Sequence, residues 1–317
     1  MNRLRSIIVC LGFSALFLLP LLQKLIGCIP DAPLDEKRPP TPAPVWSKSD
    51  HKNYLMGWQT WFNNRYPTRN FLIRLKTQID YSVFSYSDKV HIGPRGWLFY
   101  RTVLDTQKPA IERISDDGIS KIVGQLSTLR AWLAKRGITL VIVDCELKDE
   151  FYSQELPISV PRRPAHPRYH LLRKRIAAET GALVLDTATV LRRTQRERPT
   201  FHRTDFHWND PAAFEVARSL VDTLAKHLGP PTRGWRWDLQ IEAREFSGGQ
   251  ASFLPLLRPV RETSLFLHQT WPEVPRERRL KQEPFEYSQK LLVDDPTLLP
   301  PAVAFGDSFL DGMLRSG

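Results

Sequence analysis

A continuous, mostly β-branched run, Ile138-Thr139-Leu140-Val141-Ile142-Val143, sits between two segments of helical periodicity. A strand without polar/apolar alternation is buried on both faces, the pattern of a parallel sheet covered by helices on either side. Before it, Ser115 is placed to cap a helix whose face carries Ile119, Ile122, Val123, Leu126, Leu129 and Leu133, and Gly137 ends that helix. After it come a predicted helix over Tyr169 to Glu179, a stop at Gly181 and a second strand over Leu183 to Leu185. This alternation predicts a doubly wound α/β sandwich, with any site on the loops at the carboxyl ends of the strands.

Two stretches supply chemistry for such loops. In Phe201-His202-Arg203-Thr204-Asp205-Phe206-His207-Trp208-Asn209 an Asp precedes a His by two positions. An Asp so placed can accept the imidazole Nδ1–H across a tight loop and leave Nε2 free to take a proton. Asn209 or Asp210 then caps a helix that has Pro211 in its first turn and an apolar face of Phe214, Ala217, Leu220, Val221, Leu224 and Leu228. Near the C-terminus, Pro301-Ala302-Val303-Ala304-Phe305 reads as a buried strand, and Gly306-Asp307-Ser308 turns the chain into a helix marked by Phe309, Leu310, Met313 and Leu314. Ser308 would lie at a strand-to-helix turn, where its own amide can face an oxyanion. Gly-Asp-Ser alone is a common turn; the pairing of an acid and base with a hydroxyl gives it weight.

The N-terminal part is organised differently. Arg3 and Arg5 precede a nearly unbroken apolar stretch, Ser6 to Leu22, which reads as a targeting or membrane segment over residues 1–28 with its N-terminus on the cytoplasmic side. Leu25-Ile26-Gly27-Cys28 has the form of a lipobox, so lipidation at Cys28 is the alternative to an uncleaved anchor. Residues 29–50, with Pro39, Pro40, Pro42 and Pro44, read as a semi-rigid spacer, and the catalytic-type domain is placed at 51–317. Helices are predicted over Lys52 to Asn63 and Asn70 to Phe84, followed by a hairpin from Val90 to Tyr100 closed by Gly93-Pro94-Arg95-Gly96. Pro230 to Pro300, which contains Trp235, Trp237 and Trp271, has weak periodicity and yields no element.

Charge and cysteine use narrow the chemistry. Lys and Arg exceed Asp and Glu to give a net charge of +11, and the isoelectric point is near 9.7, which favours acidic partners such as an anionic polysaccharide or lipid headgroups. No zinc-finger spacing or RNA-binding signature occurs, so nucleic acid ranks last. Cys10, Cys28 and Cys145 form no disulfide framework. Cys145 is an alternative nucleophile, but a cysteine at the end of a strand is more often inert packing. His166, His170, His202 and His207 with Asp205 match no strong metal spacing, and neither a metal nor a cofactor is expected.

Several blocks occur in order: Leu34-Asp35-Glu36-Lys37-Arg38-Pro39, Trp61-Phe62-Asn63-Asn64-Arg65-Tyr66-Pro67-Thr68-Arg69, Ile92-Gly93-Pro94-Arg95-Gly96-Trp97-Leu98-Phe99-Tyr100, then Lys148, Tyr152 and Leu156-Pro157, then Arg203-Thr204-Asp205-Phe206-His207-Trp208-Asn209, and last Gly306-Asp307-Ser308-Phe309. This series resembles the SGNH hydrolase-like acetyltransferases of the alginate O-acetylation (AlgJ/AlgX) type over most of the chain. The resemblance implies a three-layer α/β sandwich with a mainly parallel sheet, and a triad of Asp205, His207 and Ser308 in that unusual chain order. It implies an O-acetyltransferase acting on hydroxyls of an exported or cell-envelope polysaccharide, held in the periplasm at the inner membrane, with a membrane-bound acyltransferase as the source of acetyl groups. It also implies an oxyanion donor at Gly249, within Gly248-Gly249-Gln250-Ala251-Ser252, although the Asp that usually follows the glycine is absent. Phe206 stands where the family usually has Thr, and Gly317 follows Ser308 so closely that the C-terminal part is expected to be incomplete. An acetylesterase, or a non-catalytic polysaccharide-binding protein with a degenerate site, are the alternative readings.

Overall fold

The computed structural model describes residues 2–27, 29, 33–34, 41–46, 51–105, 113–160, 166–229, 239–269, 276–281, 286–291 and 299–315. Cys28, Asp35 to Pro39, Trp235, Trp237, Trp271 and Gly317 lie outside the described residues. The chain divides into two compact units, Met1–Asp88 with Ala251–Val260, and Lys89–Gln250 with Arg261–Gly317.

The first unit holds three helices: α1 (Asn2–Ile26), α2 (His51–Arg65) and α3 (Arg69–Phe84). The α1 helix forms where the targeting segment was expected. Among the described residues, however, no helix is long and apolar enough to cross a membrane, so the structure does not support a spanning segment. Arg5, Ser6, Gln23 and Lys24 put polar groups at both ends of that helix. The aromatic side chains of α2 stay open to solvent, with Trp58 and Phe62 38% and 55% exposed. Arg74 of α3 donates to the Leu256 carbonyl at 3.0 Å, tying the 251–260 segment to its unit.

The second unit begins with the predicted hairpin, β1 (Val90–Ile92) and β2 (Leu98–Tyr100), paired antiparallel with Val90 opposite Tyr100. A short α4 (Arg101–Leu104) follows, then α5 (Asp116–Ala134), capped as predicted by Ser115, whose hydroxyl accepts the Gly118 amide at 3.1 Å. Asp116 and Asp117 in its first turn complement the helix dipole. The chain then runs through β3 (Val141–Val143), α6 (Lys148–Phe151), α7 (Pro167–Glu179), β4 (Leu183–Leu185) and α8 (Thr187–Gln195). Strands β3 and β4 pair in parallel, Val141 opposite Leu183, with the right spacing for a strand–helix–strand crossover. Arg173 of α7 grips buried Glu146 at 2.6 and 3.0 Å, locking the helix to the chain just past β3.

Next come α9 (Asp210–Leu228), β5 (Leu239–Phe246), the single turn α10 (Gly249–Ser252), β6 (Glu262–Gln269), β7 (Arg276–Lys281), β8 (Glu286–Leu291) and α11 (Ser308–Arg315). Strands β5 and β6 form one antiparallel pair, and β7 and β8 another. The fold is therefore α/β, but its sheets are small and mixed: among the described residues the parallel element is the β3–β4 pair. The expected mainly parallel sheet is corrected on one further point. Residues 301–305 form no strand; Val303 and Phe305 are 82% and 94% exposed. Pro300 and Pro301 supply no amide donors where a ladder would have to start.

The core lies between the hairpin, α6, α8, α9 and α11, around Phe99, Phe151, Leu191, Phe201, Trp208 and Val216. Helix α11 docks here by burying Phe309 and Met313, each worth about 1.5–3 kcal/mol. Gly312 permits the approach: a Cβ there would lie 3.0 Å from Trp208 Nε1 and 3.4 Å from the Ala213 methyl.

Candidate active site

The Asp–His stretch is a closed turn. Phe201 and Trp208 form a β-bridge across it, the His202 amide donates to the His207 carbonyl at 3.3 Å, and the Asn209 amide donates to the Thr200 carbonyl at 3.0 Å. Asn209 then caps α9, its Oδ1 accepting the Ala212 amide at 3.1 Å. The turn cannot rotate freely between the bridge and the capped helix, so Asp205 and His207 are fixed with respect to each other.

Asp205 Oδ1 accepts twice from His207, from Nδ1 at 2.6 Å and from the backbone amide at 3.0 Å. Its Oδ2 accepts the Gly249 amide. Burial pushes the Asp205 pKa up, but the bonds from the His207 ring, the Gly249 amide and the His207 amide outweigh it and hold the carboxyl well below the ordinary range. An ionised carboxylate can only accept, so Nδ1 carries the imidazole proton and Nε2 presents its lone pair. That lone pair meets Ser308: Nε2 and Oγ are 2.7 Å apart. Asp205 is buried, His207 half-buried and Ser308 exposed, so polarity and access increase along the relay.

Ser308 is the first residue of α11, and Asp307 caps that helix by accepting the Phe309 amide at 3.0 Å. The Phe309 carbonyl accepts from Trp208 Nε1 at 3.2 Å, and the two rings meet edge to face at 5.0 Å. His207 is thus flanked on the chain by the residue that anchors the nucleophile's helix. Its ring centroid lies 3.9 Å from that of Phe206 and 4.7 Å from that of Phe309, and those two rings are 5.8 Å apart. Phe206 therefore walls the imidazole, a role that its position between acid and base did not reveal.

The structure brings together Asp205, His207 and Ser308, and it corrects one expectation. The Gly249 amide, expected to face an oxyanion, is turned onto Asp205 and orients the acid instead. Its neighbour Gly248 is equally committed: a Cβ there would lie 2.5 Å from the Asp205 Cβ and 2.6 Å from the Thr204 carbonyl oxygen. Gly248→Ala must therefore push this loop off Asp205, with an expected loss of about 1–3 kcal/mol in stability by thermal melting. Cys145 is half-buried, and burial, with Asp307, Asp144 and Glu146 nearby, pushes its thiol up to about 12, far from a reactive thiolate. The other histidines have separate partners: His166 with Asp149 at 3.0 Å, His170 with Glu150 at 3.0 Å, and His202 with Ser264 at 2.6 Å. Among the described residues no group of three or more His, Cys, Asp or Glu is placed to hold a metal ion.

Sequence reasoning missed the groups beneath the turn. Lys148, marked in the sequence only by the family resemblance, is buried with Nζ against the turn, and Glu262 is buried against the same turn. Burial pushes the Lys148 pKa down to about 7, against the pull of Asp205, Glu262 and Asp149. The unfolded chain therefore binds this proton more tightly than the folded one, so stability rises as pH climbs from about 7 toward the ordinary lysine value of 10.5. Thermal melts at pH 7 and 9 are expected to show that rise in the parent and not in Lys148→Met.

An acid, base and hydroxyl in this order of contact are the parts that serine acyl-transfer chemistry requires. The family model "SGNH hydrolase-like domain, acetyltransferase AlgX" matches residues 90–309, and the chain belongs to that family. Among solved structures it is similar to the O-acetyltransferase domain of Pseudomonas putida AlgJ, with 21% identity, a TM-score of 0.45 and coverage of 57% of this chain and 64% of that one. Bacillus cereus PatB1 aligns at 12% identity, with a TM-score of 0.44 and coverage of 65% and 66%, and Pseudomonas aeruginosa AlgX at 15%, 0.38, 62% and 48%. The chain thus spans less than two-thirds of the AlgJ domain. No curated protein matches.

Proposed function

We propose that the protein is an O-acetyltransferase that moves acetyl groups onto hydroxyls of an exported polysaccharide through an acyl-enzyme on Ser308. The unbroken relay from Asp205 through His207 to Ser308 carries the reading. Family membership supports the acetyltransferase class. The net charge of +11 favours an anionic acceptor, and a periplasmic site of action with a membrane-bound acetyl source follows from the same family reading.

In the proposed cycle His207 Nε2 takes the Ser308 proton as Oγ attacks the carbonyl carbon of an acetyl ester. The resulting oxyanion faces the Ser308 amide at the first turn of α11, where the helix dipole favours negative charge. The ester C–O bond breaks, and His207 returns the proton to the departing oxygen. An acceptor hydroxyl then gives its proton to His207 and attacks the acetyl carbonyl, and Ser308 regains a proton as its C–O bond breaks. Asp205 stays ionised throughout and stabilises the imidazolium.

The test is to quench the protein with acid during turnover of p-nitrophenyl acetate and to map the acetyl group by peptide mass spectrometry. The expected adduct lies on the peptide containing Ser308, and it should disappear faster when an acidic polysaccharide such as alginate is added. An adduct confined to other peptides overturns the reading. The exposure of Ser308 favours one rival, an acetylesterase, because water reaches the acyl-enzyme as readily as a sugar does. Release that polysaccharide does not accelerate would assign the protein to that activity. A degenerate binding site is the weaker reading, since all three side chains stand within hydrogen-bond reach.

A further inference from the structure

The turn that carries Asp205 is held by two buried charges of opposite sign. Lys148, at the start of α6, places Nζ 3.3, 3.2 and 2.6 Å from the carbonyl oxygens of His202, Arg203 and Asp205, and 2.8 Å from Gln250 Oε1. Its three protons are shared among four oxygens, and the rings of Phe99 and Trp97, at 5.1 and 5.6 Å, form apolar walls around it. Glu262, at the start of β6, takes the opposite set of groups. Its Oε2 accepts the Arg203 amide at 2.8 Å, and its Oε1 accepts the Thr204 amide at 2.7 Å and the Thr204 hydroxyl at 2.6 Å. The Thr204 hydroxyl oxygen in turn accepts the amide of Gly248, next to the glycine whose amide holds Asp205.

We propose that Lys148 and Glu262 are positioning residues for the acyl-transfer site: a cation that collects the carbonyls and an anion that collects the amides of the 202–205 turn, so that Asp205 and His207 are set at the height of Ser308. The geometry supports this over simple packing because each charge bonds the backbone of the turn directly. Neither touches the reacting atoms: their hydrogen bonds go to residues 202 to 205 and, for Lys148, also to Gln250. At and below about pH 7, where Lys148 holds its third proton, the carbonyls meet a cation and the amides an anion, which makes the turn stiffer than one solvated by water, and a shift of an ångström in His207 is worth about 10²-fold in rate. Removing one charge also leaves the other buried without its opposite. The inference rests on the acyl-transfer reading above for its kinetic arm alone.

The test joins a spectroscopic and a kinetic readout on the full chain. The proton on His207 Nδ1, bonded to Asp205, gives a far-downfield proton resonance in the parent. Lys148→Met, similar in length and apolar, is expected to keep the far-UV circular dichroism of the parent, to lose or broaden that resonance, and to lower kcat for p-nitrophenyl acetate by about 10²-fold with KM little changed. Glu262→Gln, which keeps shape and removes charge, is expected to give the same signature more weakly. The double variant should lose less than the product of the two single losses. If Lys148→Met does not fold, Glu262→Gln and its resonance decide. An unchanged resonance and an unchanged kcat in either folded variant overturn the proposal. Absence of Ser308-dependent cleavage in the parent, with the resonance still sensitive to both variants, removes the acyl-transfer reading and leaves the positioning pair standing.

Discussion

Ser308→Ala is expected to reduce p-nitrophenyl acetate cleavage by about 10⁶-fold relative to the parent, and His207→Ala by a similar factor. The two losses should be alike because the proposed mechanism uses nucleophile and base as a unit, with the 2.7 Å bond between them as the path by which the hydroxyl would lose its proton. The double variant should be no worse than either single one, with a residue of about 10³-fold over water from the helix N-terminus and binding. Neither change should unfold the protein. Ser308 is exposed, and α11 is held by Phe309 and Met313 rather than by the hydroxyl. The measurement is steady-state kinetics with a matched thermal melt for each variant. Equal rates in all three proteins would remove the serine mechanism.

Asp205→Asn is expected to cost about 10⁴-fold in kcat, the scale on which the acid of a serine triad acts by fixing the tautomer. Here the reason is local. Oδ1 accepts two N–H groups of His207 and Oδ2 accepts the Gly249 amide, so both carboxylate oxygens face donors. An asparagine has one oxygen to offer, and wherever its NH2 points it meets an N–H. If the oxygen stays with the Gly249 amide, the ring must move its proton to Nε2, which then donates toward Ser308 and can no longer accept from it. The variant should also melt lower than the parent, because the buried amide leaves one donor without an acceptor. A pH series of kcat beside the melt checks both statements, and a loss under tenfold would deny Asp205 its role.

The parts of this molecule that the sequence made legible are those settled within a few residues. Ser115 was readable as a cap, and Asn209 as one of two candidates with Asp210, because a cap bonds an amide three positions on; Asp205 and His207 were readable as a pair because two positions separate them. The strands β3 and β4 were readable from composition, but of the buried strand expected over Ile138 to Val143 only Val141 to Val143 pairs, and those residues are half-buried. What failed did so at long range. Residues 301–305 have the apolar content of a strand, but a strand exists only with a neighbour, and two prolines occupy its start. Strand β5 did carry a signal: Leu239, Ile241 and Ala243 alternate with Gln240, Glu242 and Arg244, a period-two pattern that the surrounding Trp, Pro and Arg concealed. The grip of Lys148 and Glu262 on the turn left no local trace, because each reaches across more than fifty positions.

The exposure of Ser308 also bears on how a long acceptor would meet it. A nucleophile at the floor of a tunnel selects chain ends, because a polymer must be threaded to reach it. One on an open rim is approached broadside, so any unit along a chain can be presented, interior ones included, without a lid having to move. The pattern of modification would then follow local encounter rather than progress from a terminus. On the proposed reading, the same openness would make the fate of each acetyl group a contest between sugar and water, and the net charge of +11 would favour an acidic polymer in that contest.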